Sequence, residues 1–480
     1  HDDVTWTALT YKSNKLCYGS TEVSKDSGSY ALPAGNYYLS DSITIDGTIK
    51  TTGNVNLCLN GHSITVTADT DAIKVNSGTF TLTDCDGSKG TKKFTKNSTS
   101  GLWEPDSSGT ITVTGGVITH ASNKGGGGVE VSIGAAFTMY GGTLVGNSNQ
   151  NGGGVYSMGT FDLYGGKIAG NRAGRNNSQG GGVFTGGTFH MYGGEITDNK
   201  ADSGGGVYTD TGNATMSGGS ITRNTAGKGG GVCVGLGGGF TMTNGTIGGS
   251  TTDDANTAGS GGGVCVTGGT FTMNGGKVAG NTATSGHGGG VDVYDGKFEM
   301  SGSAVISGNR AKLYGGGVNV GNDDDTYTST SPAFNMKGGS ITGNDVTYTG
   351  NDTEDHFGHG GGVYVNKNAK MLVLGTVQIT DNWEKGTLNS DGAYVQGSGK
   401  ANNLYLYSDD KNQKTVDIGG TDGLKQEARI GISTHIAPTT GKQIKIATNA
   451  TKEQSYYANI FIPDAENSGY TIKKTNDALY

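Results

Sequence analysis

Apolar and polar residues alternate in short runs along most of this chain, and glycines rather than charged helical faces separate the runs. One stretch, GGGVCVTGGTFTMNGGKVAGNTA from Gly261 to Ala283, carries three of them: Val264 and Val266, then Phe271 and Met273, then Val278. A period of two puts alternate side chains on opposite faces of a strand, so the stretch predicts three short strands and no helix. Gly-Gly-Gly-Val recurs nine times, ending at Val129, Val155, Val183, Val207, Val232, Val264, Val291, Val318 and Val363. The spacings are 26, 28, 24, 25, 32, 27, 27 and 45 residues. Three strands repeated at that period cannot bury their apolar faces alone, but each can pair in parallel with its equivalent about 4.8 Å away in the next unit. The pattern therefore predicts an all-β, right-handed, three-sided parallel β-helix. Residues 1–30 lack the repeat and read as an N-terminal cap, 31–402 as the stem, and 403–480 as closing strands of one continuous domain.

The punctuation fits that reading. Gly-Gly pairs precede the first and third strands, where positive φ or close backbone approach favours glycine. Asn147, Asn171, Asn281, Asn309 and Asn344 follow the third strand after glycine, with Asn199, Asn224 and Asn382 in the same slot, so stacked coils should align them into an amide ladder. With 92 glycines, Gly-x-Gly-x-x-Gly matches arise by chance and identify no nucleotide site.

Net charge is -8 with a pI near 5.5 and no basic stripe, which removes the electrostatic footprint of a nucleic-acid binder. No apolar run is long enough to span a membrane, no cofactor is called for, and a monomer is expected. A start at His1, without Met or an apolar leader, reads as a fragment of a larger protein. Of five cysteines, Cys233 and Cys265 occupy the same slot in consecutive units, where a bridge and two free thiols are both open.

The residues LPAGNYYLSDSITI, the LCLNGH at 57–62, and the iterated GGGV, GTFTM and GGxIxGN unit resemble the right-handed, pectin-lyase-like β-helix, and more specifically the glycine-rich repeats of surface proteins from Gram-positive gut bacteria. The resemblance implies a secreted or cell-surface bacterial address. It leaves activity open, because this fold carries lyases, hydrolases and adhesins alike.

Candidate chemistry concentrates on the first strand. With its valines facing inward, the residue between them faces outward, aligning Glu130, Tyr156, Phe184, Tyr208, Cys233, Cys265, Asp292, Asn319, Tyr364 and Tyr394 into one row. Exposed aromatics on a flat face suit sugar rings, so Tyr156, Phe184, Tyr208, Tyr294, Asn319 and Tyr364 are the expected glycan contacts. The 45-residue interval holds two acidic insertions, at 321–333 and 345–359, that would wall a groove over this row. Asp345, Asp352 and Asp355, with Asp292 on the floor, are the candidates for acid and nucleophile or base in glycoside cleavage. Asp323, Asp324 and Asp325 are the candidates for binding Ca2+, although no known calcium-loop spacing is present. His190 and His287 stand alone and read as surface residues. A surface-displayed glycan-binding module is the leading expectation. A glycoside hydrolase acting on a complex glycan is the alternative, and a passive stalk the third.

Overall fold

The computed structural model describes all residues except 1–4, 175, 323–331, 349–357, 387–394, 396–397, 408–412, 421–422, 436–437, 439–442 and 465–469. The chain divides into two compact units, His1–Ala226 and Gly227–Tyr480, each a stack of coils in a parallel β-helix.

In the first unit a representative coil consists of Val155–Ser157, Thr160–Leu163 and Lys167–Ala169. Each strand pairs in parallel with the next coil, Val155 with Val183, Phe161 with Phe189, and Ile168 with Ile196. Identical positions therefore stack in columns. Phe80, Phe137, Phe161 and Phe189 lie ring on ring with centroids 4.9–5.6 Å apart. The inward valines, phenylalanines and isoleucines are all fully buried. Hairpins built from Thr7–Lys12, Lys15–Tyr18, Lys25–Asp26 and Ser29–Leu32 lie at the amino-terminal end, and Thr7–Lys12 also pairs in parallel with Gly35–Leu39. An antiparallel sheet of Thr91–Lys96, Trp103–Pro105 and Ile111–Thr114 interrupts the coils and packs Phe94, Trp103 and Val113 on Val117, Val145 and Ala169.

In the second unit the same register runs through Val264, Val291, Val318 and Val363 and continues to Leu404. From there Val416–Ile418, Arg429–Thr434 and Phe461–Pro463 extend the stack, and a short helix, Gln454–Ala458, precedes the last of them.

The triple glycine is explained at Gly180 and Gly182. Gly180 has φ +66°, and a Cβ there would sit 2.3 Å from the Val183 carbonyl oxygen. A Cβ on Gly182 would lie 2.8 Å from Ile196 Cγ2, where the coil closes on its own third strand. Directly after that strand comes the asparagine ladder. Asn147, Asn171 and Asn199 each donate Nδ2 to the Oδ1 of the next, Asn199 to Asn224, at 3.0 Å, and each gives its second amide hydrogen to a carbonyl of the preceding coil. In the second unit the ladder runs Asn256, Asn281, Asn309, Asn344, Asn382, Asn403, and ends on Asp464. Asn256 and Asn403 join the positions expected from the sequence.

Cysteine pairing differs from the pair weighed above. Cys58 and Cys85 form a disulfide, whereas Cys233 and Cys265 sit in register, buried, as free thiols.

Candidate functional site

The expected aromatic row is in register, but it is not an exposed face. Phe184, Tyr208, Asp292, Asn319 and Tyr364 are 1–7% exposed, and Glu130 and Tyr156 keep partial access. The cause is the glycine turn, which folds the incoming chain back over the outer side of the first strand. At Gly152 an added Cβ would lie 2.7 Å from Tyr156 Cα, and at Gly288 2.6 Å from Asp292 Cα. Covered in this way, the side chains contact one another, with Asn319 Oδ1 left without a hydrogen-bond partner among the described residues. Tyr156, Phe184 and Tyr208 stack at 5.0 and 5.8 Å, Tyr364 stacks on Tyr314 at 4.5 Å and on Tyr405 at 5.4 Å, and Asn319 Nδ2 donates to Asp292 at 2.8 Å. Burial pushes the Asp292 carboxyl above its ordinary range. Tyr405 fills the slot assigned from sequence to Tyr394, which lies outside the described residues.

The acidic insertions also read differently. Asp345 is not a loop residue but the buried first residue of a two-residue strand, in register with Arg310 and Trp383. Asp352, Asp355, Asp323, Asp324 and Asp325 lie outside the described residues. Tyr294 is half-buried under the Lys228 ammonium, 4.8 Å from the ring centre. Among the described residues no three His, Cys, Asp or Glu side chains converge as a metal site, and no helix is long and apolar enough to cross a membrane.

Exposed aromatics occur elsewhere. Tyr140, Tyr164 and Tyr192 are 53, 43 and 45% exposed and stack at 4.8 and 4.5 Å with interplanar angles of 15° and 13°. Each follows the last inward residue of a second strand, Met139, Leu163 or Met191, and precedes a Gly-Gly pair, so alternation and the turn together throw the ring outward. Parallel stacking does the rest: Tyr164 N–H donates to Met139 O and Tyr192 N–H to Leu163 O, which fixes successive rings one coil apart. Hydrogen-bonding side chains flank the ladder on both sides. His190 Nδ1 meets Asp162 at 2.7 Å, Lys167 pairs with Glu195 at 2.8 Å, and Arg223 with Asp198 at 2.8 Å. His190 is thus a paired member of this surface and not an isolated residue. The signal for the ladder is visible in the sequence as Met-Tyr-Gly-Gly, Leu-Tyr-Gly-Gly and Met-Tyr-Gly-Gly at the same point of three consecutive repeats.

A second feature of the first unit is a polar cleft of about 710 Å³ lined by Asp69, Asp71, Asn149 and Gln150. Asp71 accepts from Gly127 N–H at 2.8 Å and Asn149 Nδ2 at 3.0 Å, and shares a hydrogen bond with Glu130, which Lys74 grips at 2.8 and 2.9 Å. Burial, then the contact with Glu130, pushes the Asp71 carboxyl up to about 6, whereas the Gly125 N–H holds exposed Asp69 below the ordinary carboxylate range. Behind the cleft, buried His120 bridges Thr70 O at 2.8 Å and Asn147 Oδ1 at 2.9 Å, and burial draws its imidazole below the ordinary value. The chain matches no protein-family model, no curated protein and no solved structure.

Proposed function

We propose that this β-helix is an extracellular, surface-displayed glycan-binding module and that Tyr140, Tyr164 and Tyr192 form its contact strip. The supporting observation is the exposure of three stacked phenol rings where the fold has no need of them, since the coils beyond continue with Ser217 in the same slot. Large apolar rings left in water on a regular surface mark interaction sites. Tyrosine combines an apolar body with a hydroxyl, which suits sugars whose C–H faces and hydroxyls alternate. The Cys58–Cys85 disulfide fits an oxidising, extracellular compartment, in line with the resemblance to glycine-rich bacterial surface repeats. The test is binding of the full chain to a panel of immobilised plant and mucin glycans, with Tyr164→Ala as the variant. Binding that survives this substitution unchanged would remove the strip from the reading.

A glycoside hydrolase is the second reading, supported by the Asp71 carboxyl in the cleft, which burial pushes up to about 6, toward what a general acid requires. Its carboxylate neighbour Glu130 is already held by Lys74 at 2.8 and 2.9 Å, and Asp71 itself accepts from Gly127 N–H and Asn149 Nδ2, so neither is set up as the second group of a glycosidase pair. Binding without turnover is therefore the better-supported function. Release of reducing sugar that disappears in Asp71→Asn would reverse that order.

A further inference from the structure

We propose that His120 is a proton-operated clasp that fastens the Asp69–Asp71 wall of the polar cleft to the first rung of the asparagine ladder. The ladder sets the requirement. Asn147 donates its two amide hydrogens to Ile118 O at 3.2 Å and Asn171 Oδ1 at 3.0 Å, and Asn171 is oriented in turn by Leu144 O and Asn199. Rotating the Asn147 amide would set oxygen against oxygen at both contacts, so its Oδ1 is fixed toward His120. His120 is fully buried, with Nδ1 2.9 Å from that oxygen and Nε2 2.8 Å from Thr70 O. Both partners are acceptors. A neutral imidazole carries one N–H, and only the imidazolium can donate to both. In the second unit the donor end of the ladder is closed in the complementary way, on Asp464, which accepts from Asn403 N–H and Nδ2 at 3.0 and 2.7 Å and from Ser433 Oγ at 2.6 Å.

The two acceptors differ in what they can do without the ring. Asn147 is 0% exposed, whereas Asp69 and Thr70 are exposed residues lining the cleft, where water replaces a lost donor. The single proton of the neutral ring therefore stays on Nδ1. Its Nε2 lone pair then faces the Thr70 oxygen, and the wall moves off toward water. With the second proton Nε2 donates, and the wall is clasped. Gly126 makes the contact possible, because a Cβ there would lie 2.0 Å from Thr70 O and 2.4 Å from His120 Nε2. Neither Val66, the in-register neighbour of His120, nor the rungs Asn147 and Asn171 carry charge. Asp69 acts on the ring from the wall, itself bonded by Gly125 N–H at 2.9 Å and paired with Lys124 at 3.5 Å. Beyond Thr70 come Asp71, Glu130 and Lys74. Burial draws the imidazole below its ordinary value of about 6.5, against the pull of Thr70, Asn147 and Asp69, so clasping belongs to acidic solution and release to neutral.

The experiment follows the full chain, isotopically labelled at histidine nitrogen, by long-range nitrogen–proton NMR from about pH 8 to about pH 4. Hydrogen exchange of the Ala72, Gly125 and Gly127 amides, scaled to the intrinsic rate at each pH, reports the wall. The variants are His120→Gln and Asp71→Asn, the second removing the carboxyl that titrates near 6. Expected is an imidazole with its proton on Nδ1 at the alkaline end and on both nitrogens at the acid end. Protection of the three amides should rise about tenfold toward acid in the native protein and in Asp71→Asn, and stay flat in His120→Gln. Should His120→Gln not fold, His120→Asn, which supplies a ladder amide in place of the ring, takes its part. A proton on Nε2 at the alkaline end, or a ring still neutral at the acid end, overturns the clasp. Protection that rises with acid without His120, or fails to rise in Asp71→Asn, moves the pH response to the carboxyls and overturns it as well.

Discussion

Replacing Asn171 with alanine tests whether the amide ladder holds the first unit together. Asn171 is fully buried and makes four bonds through its side chain: Oδ1 accepts from Asn147 N–H and Asn147 Nδ2 at 3.0 Å, and Nδ2 donates to Asn199 Oδ1 and to Leu144 O. Alanine removes the acceptor of two buried donors on Asn147 and one donor to each of two acceptors. A buried donor left without a partner costs about 1–3 kcal/mol, so the two on Asn147 alone imply about 4 kcal/mol. Because each coil contacts only its neighbours, the loss should appear first as local opening. Native-state hydrogen exchange is the direct assay: amides of residues 143–199 should lose protection while those of the distant strands Ile73–Ser77 and Thr79–Thr83 keep theirs, and the urea midpoint should fall. Asn176→Ala, at an exposed turn, is the control and should change nothing. A cost below about 1 kcal/mol, the net worth of an ordinary exposed hydrogen bond, would show that water or a rotated neighbour replaces the ladder and that the asparagines are there for turn conformation only.

Three further outcomes are expected. Gly180→Ala, with φ +66° and a clash at 2.3 Å, should destabilise by about 3 kcal/mol or more, whereas Gly134→Ala, at φ +77° with nothing within 4 Å, should cost about 1 kcal/mol; thermal melts of the two decide. Maleimide labelling should modify Cys17 in the native protein, three cysteines after unfolding, and all five after unfolding with reduction; rapid native labelling of Cys233 would contradict its burial. The Asp71 carboxyl is raised to about 6 in the fold, above its unfolded value of about 4, so its stabilising contribution is complete below about pH 4 and is lost as pH rises through about 6, by up to about 3 kcal/mol. Urea midpoints across that range should fall in the native protein and stay flatter in Asp71→Asn.

The columns of the fold were legible because each rests on a repeat: the inward valines, the Phe–Met pairs and the asparagines recur at one spacing, and stacking converts spacing into contact. Two things were not legible. Alternation says which side of a strand a residue faces, but not what lies over that side, and the glycine turn that folds back across Phe184 and Asp292 turned an expected outer face into a second buried layer. Non-repeating chemistry was the other gap. The Cys58–Cys85 bridge and the Thr91–Thr114 sheet each occur once, so no period announces them. The tyrosines at 140, 164 and 192 did carry a periodic signal, but each stands just past the last inward residue of its strand, where alternation ends and no longer assigns a face.

The asparagine ladder also sets how this protein can change length. Each rung donates in one direction and receives from the other, so every coil between Asn147 and Asn224 presents the same pair of ends to its neighbours. A gain or loss of sequence measured from one rung to the next leaves that polarity intact, and the inward columns close up because their residues are equivalent. Extra residues between strands are carried as loops, as in the long step from Asn309 to Asn344, whereas extra residues within a strand shift it out of its column. Copy number is thus one variable along which such a chain drifts without unfolding, and whole coils are the unit in which surface strips like the one at Tyr164 can be duplicated or erased.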